Sequence, residues 1–82
     1  MEETHQAEKV IDQYREASLD AAIVRVMKAK KVLKNQQLVT ETIEAVAKHF
    51  KPDVAAIKKR IESLMEREFI ARKTNDTFEY LA

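Results

Sequence analysis

The stretch Phe69–Leu81, FIARKTNDTFEYL, decides the fold. Two short runs that mix aromatic and aliphatic residues, Phe69–Arg72 and Phe78–Leu81, stand on either side of the polar segment Lys73–Thr77. Short runs of this kind around a turn-forming segment predict a strand, a turn and a second strand. We therefore expect a β-hairpin in the last part of the chain.

The long segment at the front of the chain is predicted to be a helix. The chain has no glycine and its one proline is Pro52, a composition that favours helices. Over Ala7–Leu33, apolar residues collect on one arc when each residue is turned by about 100°. These residues are Leu19, Ile23, Val26, Met27 and Leu33. Lys30 falls in the same arc, which is compatible with a fraying helix end or with an ammonium group that reaches water.

Two more helices are predicted before the hairpin. One runs over Gln36–His49 with Asn35 as its N-cap, and the other runs from an N-cap at Asp53 to Arg67. Helix, helix, helix and hairpin follow one another in winged-helix proteins, where the hairpin is the wing. We predict a mainly α fold with a small β-hairpin, in which a three-helix core carries a C-terminal wing. A short strand near Val32–Gln36 could complete a small sheet.

Composition indicates one soluble globular domain. Hydrophobic residues make up 45% of the chain and charged residues 35%, too apolar for a disordered tail and too charged for a membrane segment. Cysteine is absent and the two histidines are far apart, so we expect neither a disulfide nor a zinc site. Residues 1–16 are predicted to extend the first helix at its N-terminus, and residues 17–82 to form the winged-helix domain.

Positive charge is concentrated in one short segment. Residues 1–20 contain six acids and two bases, whereas residues 21–34 contain five bases and no acid. The bases are Arg25, Lys28, Lys30, Lys31 and Lys34. The chain therefore carries a local basic patch and no general basic character.

Three segments of the chain carry patterns of a known family. Residues 21–31, AAIVRVMKAKK, resemble the cullin signature around the lysine that accepts a ubiquitin-like modifier. Residues 57–70, IKKRIESLMEREFI, are similar to a second run of that family, and residues 78–82, FEYLA, to the end of cullin chains. The resemblance covers about residue 17 to residue 82. Lys30 stands where cullins usually have arginine, and this lysine offers a second amine close to the first.

The resemblance implies the C-terminal winged-helix (neddylation) domain of a cullin scaffold in a multi-subunit RING ubiquitin ligase. Lys28 is then the acceptor of a Nedd/Rub-type modifier that activates the ligase. The implied partners are this modifier, its conjugating enzyme, a Dcn-type co-ligase and a RING-box subunit. Arg25, Lys30 and Lys31 are candidates for steering the co-ligase, and Tyr80 is a candidate docking residue. The implied chain is a scaffold and a modification substrate, without catalytic residues, metal or cofactor, in the cytoplasm and nucleus.

The helical period places Lys28 about 180° from Leu19, so it is predicted to point away from the core. Val24, Val32 and Ala21 are predicted on the same outer face, and small apolar groups around an exposed lysine indicate a docking surface. The same spacing also fits an ordinary surface helix with scattered aliphatic residues. The docking interpretation therefore depends on the resemblance.

DNA binding is the alternative function of a winged helix. The third helix contains Lys58, Lys59, Arg60 and Arg67, which could contact phosphates. However, Glu62 and Glu66 share its exposed arc, and a face with two carboxylates is poorly suited to the major groove. An enzyme is disfavoured because the sequence contains no glycine-rich phosphate loop, no cysteine nucleophile and no clustered metal ligands. We expect neither DNA nor a membrane to be a partner.

Overall fold

The computed structural model describes the backbone of Glu2–Leu81 and the side chains of Gln13–Leu81. These residues form three helices and three strands, in an order that agrees with the winged-helix prediction. In chain order they are α1 (Glu2–Lys30), β1 (Val32–Lys34), α2 (Asn35–Val46), α3 (Val54–Glu66), β2 (Ile70–Thr74) and β3 (Thr77–Tyr80). The fold is mainly helical with a small antiparallel sheet. The predicted domain boundary after residue 16 stays a prediction.

One core holds the three helices and the sheet together. Its buried apolar residues come from every helix and from each strand. They are Leu19, Ala22, Ile23, Met27, Leu33, Leu38, Val46, Ile57, Ile61, Leu64, Ile70 and Phe78. The predicted stripe of the first helix is confirmed at Leu19, Ile23 and Met27, whereas Val26 is only partly buried. The face of α1 opposite Lys28 thus anchors the domain.

The predicted end of the first helix at Leu33 is wrong. Helix α1 ends at Lys30, and Lys31 takes a left-handed backbone conformation with φ 71° while its N–H donates to Met27 O at 2.7 Å. Val32–Lys34 then pairs with β3, and this pairing buries Leu33 in the sheet instead of on the helix. The strand suggested near Val32–Gln36 is therefore confirmed in its first three residues.

The sheet has the strand order β1-β3-β2, and all neighbouring strands are antiparallel. Phe78 on the central strand pairs with Leu33 on one side and with Arg72 on the other. The predicted hairpin is confirmed, with its turn at Asn75–Asp76. Because β1 continues directly from α1, the sheet connects the wing to the first helix.

The boundaries of α2 differ from the prediction, whereas the start of α3 agrees with it. Lys34, not Asn35, is the N-cap of α2, and the helix ends at Val46 instead of His49. The Asp53 carboxylate accepts a hydrogen bond from Ala55 N at 3.1 Å, which confirms it as the N-cap of α3.

Glu68 lies in the left-handed position that follows α3. Its φ is 63°, a conformation that costs a residue with a Cβ about 1 kcal/mol and that glycine adopts freely. An acidic side chain at a helix C-terminus is also unfavourable. Glu68→Gly is therefore expected to raise the free energy of unfolding by about 0.5–1 kcal/mol, measured by urea denaturation. Glu62→Gly, inside the same helix, is the matched control and should lower it by about 1 kcal/mol. A loss of stability in both variants would contradict this reasoning.

Thr42 is a buried polar residue of the core. Its side chain is fully buried in α2, and its Oγ1 has no hydrogen-bond partner among the described residues. Valine has the same shape without the hydroxyl, so Thr42→Val is expected to raise the free energy of unfolding by about 1 kcal/mol. The control is Thr40→Val, which removes a hydroxyl that is exposed and already hydrogen-bonded, since Thr40 Oγ1 donates to Gln36 O at 2.9 Å. If the Tm of Thr42→Val is not higher than that of wild type, the Thr42 hydroxyl has a hydrogen-bond partner in solution.

Candidate functional site

Lys28 lies on the exposed face of α1, in the last turn of the helix. On the core-facing side of the helix, Ile23 and Met27 are fully buried. The outward direction predicted from the helical period is therefore confirmed. The backbone that carries this amine is held by the core, while the side chain extends into solvent.

Lys28 lines a shallow depression, here called the Lys28 depression. Its walls come from α1, from the C-terminal end of α3 and from the residue just before β2. The lining residues are Asp20, Ala21, Val24, Arg25, Lys28, Leu64, Arg67 and Phe69. Val24 and Ala21 lie beside Lys28 as predicted. Val32 does not, because it belongs to β1 and not to the helix.

Leu64, Arg67 and Phe69 were not predicted as members of this surface. They reach it because α3 packs across α1. The IKKRIESLMEREFI run contained these residues, but only the packing of the two helices shows which of them face Lys28. The apolar residues of the depression thus come from two sides, Ala21 and Val24 from α1, and Leu64 and Phe69 from α3 and the segment that follows it.

The three clustered lysines have different environments. Lys30 Nζ lies 3.9 Å from the carboxylate of Glu41 on α2, and Lys31 Nζ lies 5.1 Å from the centre of the Tyr80 ring. Among the described side chains, Lys28 forms no ion pair within 4 Å. Of the three amines, Lys28 is thus the one that has no contact of this kind to break among the described side chains before it can react.

The predicted docking residues divide into separate groups. Arg25 lies at the rim of the Lys28 depression, together with Lys28 itself. Lys31 and Tyr80 form a second unit, because Tyr80 N donates to Lys31 O at 2.8 Å and the lysine covers the half-buried ring. Lys30 faces α2 through Glu41. The basic patch of the sequence is therefore spread over neighbouring surfaces.

Asp20 is the centre of an ion-pair network between α1 and α3. Arg60 donates to both of its carboxylate oxygens, at 2.7 and 2.8 Å, and Arg67 donates to one at 3.0 Å. Glu16 lies 3.6 Å from Arg60 on the exposed side of the network. Burial raises the pKa of the Asp20 carboxyl, but the hydrogen bonds and positive charges of the two arginines lower it more, so its pKa lies below the usual value.

The network was not predicted, although the sequence carries a signal for it. Glu16 and Asp20 are four residues apart on α1, and Arg67, the residue just after α3, follows Arg60 by seven positions, so each pair lies on one side of its helix. Opposite charges on two helix faces can pair if the helices pack together. Local spacing does not reveal which helices do so.

The network also bears on DNA binding. Arg60 and Arg67, counted among the cations of the third helix, are bound to Asp20. Lys58 and Lys59 remain exposed on α3, but Glu62 and Glu66 are exposed there as well. The part of α3 that could enter a groove thus carries as many acids as bases.

Two further kinds of feature are absent from the part of the chain that the structure describes. No helix there is long and apolar enough to cross a membrane. No group of three or more His, Cys, Asp or Glu residues there could hold a metal ion.

Comparison with known proteins identifies the domain. The family model described as the cullin protein neddylation domain matches residues 14–76, which include Lys28 and the whole Lys28 depression. The chain belongs to the cullin family. Cullin-2 of Arabidopsis thaliana is 48% identical over 84 residues, an alignment that covers 100% of this chain and 11% of that protein. Cullin-1 of Schizosaccharomyces pombe is 44% identical over 80 residues, covering 98% of this chain and 10% of that cullin.

A solved structure agrees with the cullin assignment and with the fold. It contains the WHB domain of Cdc53 with Dcn1 and is described as showing a dual E3 mechanism for Rub1 ligation to Cdc53. The TM-score is 0.90 at 34% identity, over 98% of this chain and 94% of that one. The winged-helix prediction is thereby confirmed. The chain spans about a tenth of the length of the curated cullins that it matches.

Proposed function

We propose that this chain is the C-terminal domain of a cullin scaffold in a multi-subunit RING ubiquitin ligase, and that Lys28 accepts a Nedd/Rub-type modifier. The observation that carries the proposal is the position of Lys28. It is an exposed amine on a helix anchored by Ile23 and Met27, within the residues that match the cullin neddylation domain. In this proposal the domain offers an exposed amine on a backbone that the core holds in place, and it supplies no catalytic group.

The proposed reaction is an acyl transfer to the lysine. The conjugating enzyme carries the C-terminal carbonyl of the modifier as a thioester. The lone pair of Lys28 Nζ attacks this carbonyl, the carbon–sulfur bond breaks, and the cysteine thiolate of the enzyme leaves. Nζ loses a proton, and an isopeptide bond has formed. The enzyme must position and desolvate the amine, because the exposed face of α1 provides only its location.

The other proposed partners are a Dcn-type co-ligase and a RING-box subunit. The relation to the Cdc53 domain, whose solved structure contains Dcn1, supports the co-ligase. Arg25, Lys30 and Lys31 are proposed to steer it, since a basic segment attracts an acidic partner and raises encounter rates. Tyr80 is proposed to act with Lys31, because the two side chains are in contact. We place the assembled ligase in the cytoplasm and nucleus.

Mass spectrometry of the full-length protein after conjugation tests the acceptor. The protein is modified with its conjugating enzyme and co-ligase, digested with a protease, and searched for the modifier remnant on each lysine. The remnant is expected on Lys28, with little on Lys30 or Lys31. A remnant found on either neighbour while Lys28 is unmodified would contradict the assignment.

A further inference from the structure

A narrow cleft between α1 and the C-terminal end of α2 is here called the His49 cleft. It borders the Lys28 depression, with which it shares Ala21 and Arg25. Its volume is about 160 Å³, several times the roughly 30 Å³ that one water molecule occupies in the liquid. Half of its lining residues are apolar and half are polar. The apolar ones are Ala21, Ala22, Ala45 and Val46, and the polar ones are Tyr14, Ser18, Arg25 and His49.

The polar side chains of the His49 cleft can all donate hydrogen bonds, and no carboxylate is among its lining residues. Arg25 and His49 form no ion pair within 4 Å with any described side chain. Four other depressions on the described surface each have an acid in their lining. These acids are Glu62, Asp76, Glu41 and Asp20. The His49 cleft therefore differs from them in offering donors and positive charge without a neighbouring anion.

The backbone that carries these donors is held by the rest of the fold. Ser18 is half-buried within α1. After α2, Val46 O accepts hydrogen bonds from His49 N at 2.9 Å and from Phe50 N at 3.1 Å. Arg15 of α1 lies over the Phe50 ring, with 5.6 Å between its guanidinium carbon and the ring centre. The segment with His49 is thus connected to α1, so a ligand does not bear the full entropy of bringing the two together.

The end of a helix explains only part of this arrangement. Lys48 and His49 follow the last residue of α2, where cations offset the partial negative charge of the carbonyl groups. Tyr14, Ser18 and Arg25 belong to α1, so the end of α2 does not account for them. The meeting of donors from two helices is the feature that indicates a bound anion.

We propose that the His49 cleft binds a phosphate monoester, carried on a phosphorylated side chain of a partner protein or on a small phosphorylated molecule. Such a group has a charge of about −1.5 to −2 at neutral pH and three acceptor oxygens. The planar Arg25 guanidinium suits two of these oxygens, and the Ser18 hydroxyl and a His49 ring N–H are donors for the third. The 59% exposed Tyr14 offers its ring to the organic part of the ester.

Amide NMR spectra of the chain, which has a core of its own, test this binding. The probes are a short phosphoserine peptide with alanine neighbours, its unphosphorylated form, and glycerol phosphate, all at one ionic strength. A phosphorylated probe is expected to shift amides near Ser18, Arg25 and His49 with a Kd on the order of 1 mM or lower, and the unphosphorylated peptide is not. The tighter of the two phosphorylated probes identifies the source of the ester. No saturable shift with either, or equal shifts with the unphosphorylated peptide, would overturn the proposal.

Removal of one cation tests whether the cleft itself attracts the anion. Arg25→Gln is expected to raise the Kd of the phosphorylated probe about 10-fold, because two charge-assisted hydrogen bonds are lost. Lys58→Gln is the matched control, since it removes the same charge from an exposed position of α3 that does not line the cleft. Its Kd should stay within about twofold of wild type. Equal increases in the two variants would show attraction to the net charge alone and would overturn the site.

An acid placed in the cleft gives the converse test. Ala45 is exposed and lines the cleft, so Ala45→Glu should fold normally and raise the Kd about 10-fold or more by repelling the anion. Ala55→Glu, at an exposed position of α3 outside the cleft, should bind as wild type does. Normal binding by Ala45→Glu would refute the inference. Lys28→Arg leaves the cleft intact and should bind the probe normally, so this site and the acceptor lysine succeed or fail separately.

Discussion

Lys28→Arg is expected to reduce conjugation in the full-length protein by about 100-fold or more, the largest effect of any substitution considered for this domain. Arginine keeps the positive charge and the helix propensity of lysine. However, its guanidinium is not deprotonated in proteins, so it has no free amine that could attack the thioester and form an isopeptide bond. The fold should not change, because the side chain is exposed and forms no ion pair among the described side chains. The rate of modifier transfer, followed on denaturing gels, gives the result.

The neighbouring lysines supply the controls for this experiment. Lys30→Arg keeps a cation opposite Glu41, and Lys31→Arg keeps a cation over the Tyr80 ring, so both should be modified at rates within about threefold of wild type. If Lys28→Arg is modified normally and Lys30→Arg is not, the acceptor is Lys30. Unchanged unfolding curves for all three variants would exclude a loss of structure as the cause.

Asp20→Asn is expected to lower the free energy of unfolding by about 2 kcal/mol at neutral pH, because Arg67 loses its anionic partner and Arg60 keeps only the exposed Glu16. The Asp20 side chain is 20% exposed, so solvent screens this ion pair only in part. Urea denaturation of the chain measures the change. Glu16→Gln is the control, because the Glu16 side chain is 57% exposed at 3.6 Å from Arg60 and should contribute less than about 0.5 kcal/mol.

The same residue gives the stability of the domain a defined dependence on pH. Burial raises the pKa of Asp20, and the two arginines lower it more, so the folded-state pKa lies below the ordinary value of 3.8. The unfolded chain therefore binds a proton at a higher pH than the folded chain does. The stabilisation by the Asp20 carboxylate is fully present when the pH is above the ordinary pKa. It is lost as the pH falls through the folded-state pKa. The difference in the free energy of unfolding between wild type and Asp20→Asn should shrink below about pH 4. A constant difference down to pH 2.5 would show that the titration of Asp20 does not control the stability.

The direction of Lys28 could be predicted because it depends on one helix alone. From Leu19 to Lys28 the chain keeps a regular period, and a buried stripe on one face fixes what the other face presents. The order of helices and hairpin was predictable for the same reason, since each element has its own local pattern. The N-cap at Asp53 belongs to this class as well.

The features that were missed depend on contacts between distant residues. Helix α1 ends at Lys30 because Val32–Lys34 pairs with a strand more than 40 residues later, and no glycine marks the left-handed residue between them. Leu64 and Phe69 face Lys28 only because α3 crosses α1, and Asp20 meets Arg60 across 40 positions of sequence. Periodicity gives the faces of a helix but not the partner that each face will meet.

The anchoring of α1 has a mechanical consequence for anything attached to Lys28. Ile23 and Met27 are fully buried on the inner side of the helix, so the backbone at Lys28 cannot shift without disturbing the core. A protein joined to Nζ would therefore turn about the four methylene groups of the lysine and about its own terminal segment. The rotational freedom of such a branched molecule would lie in the linkage itself, and the domain would be its rigid attachment point.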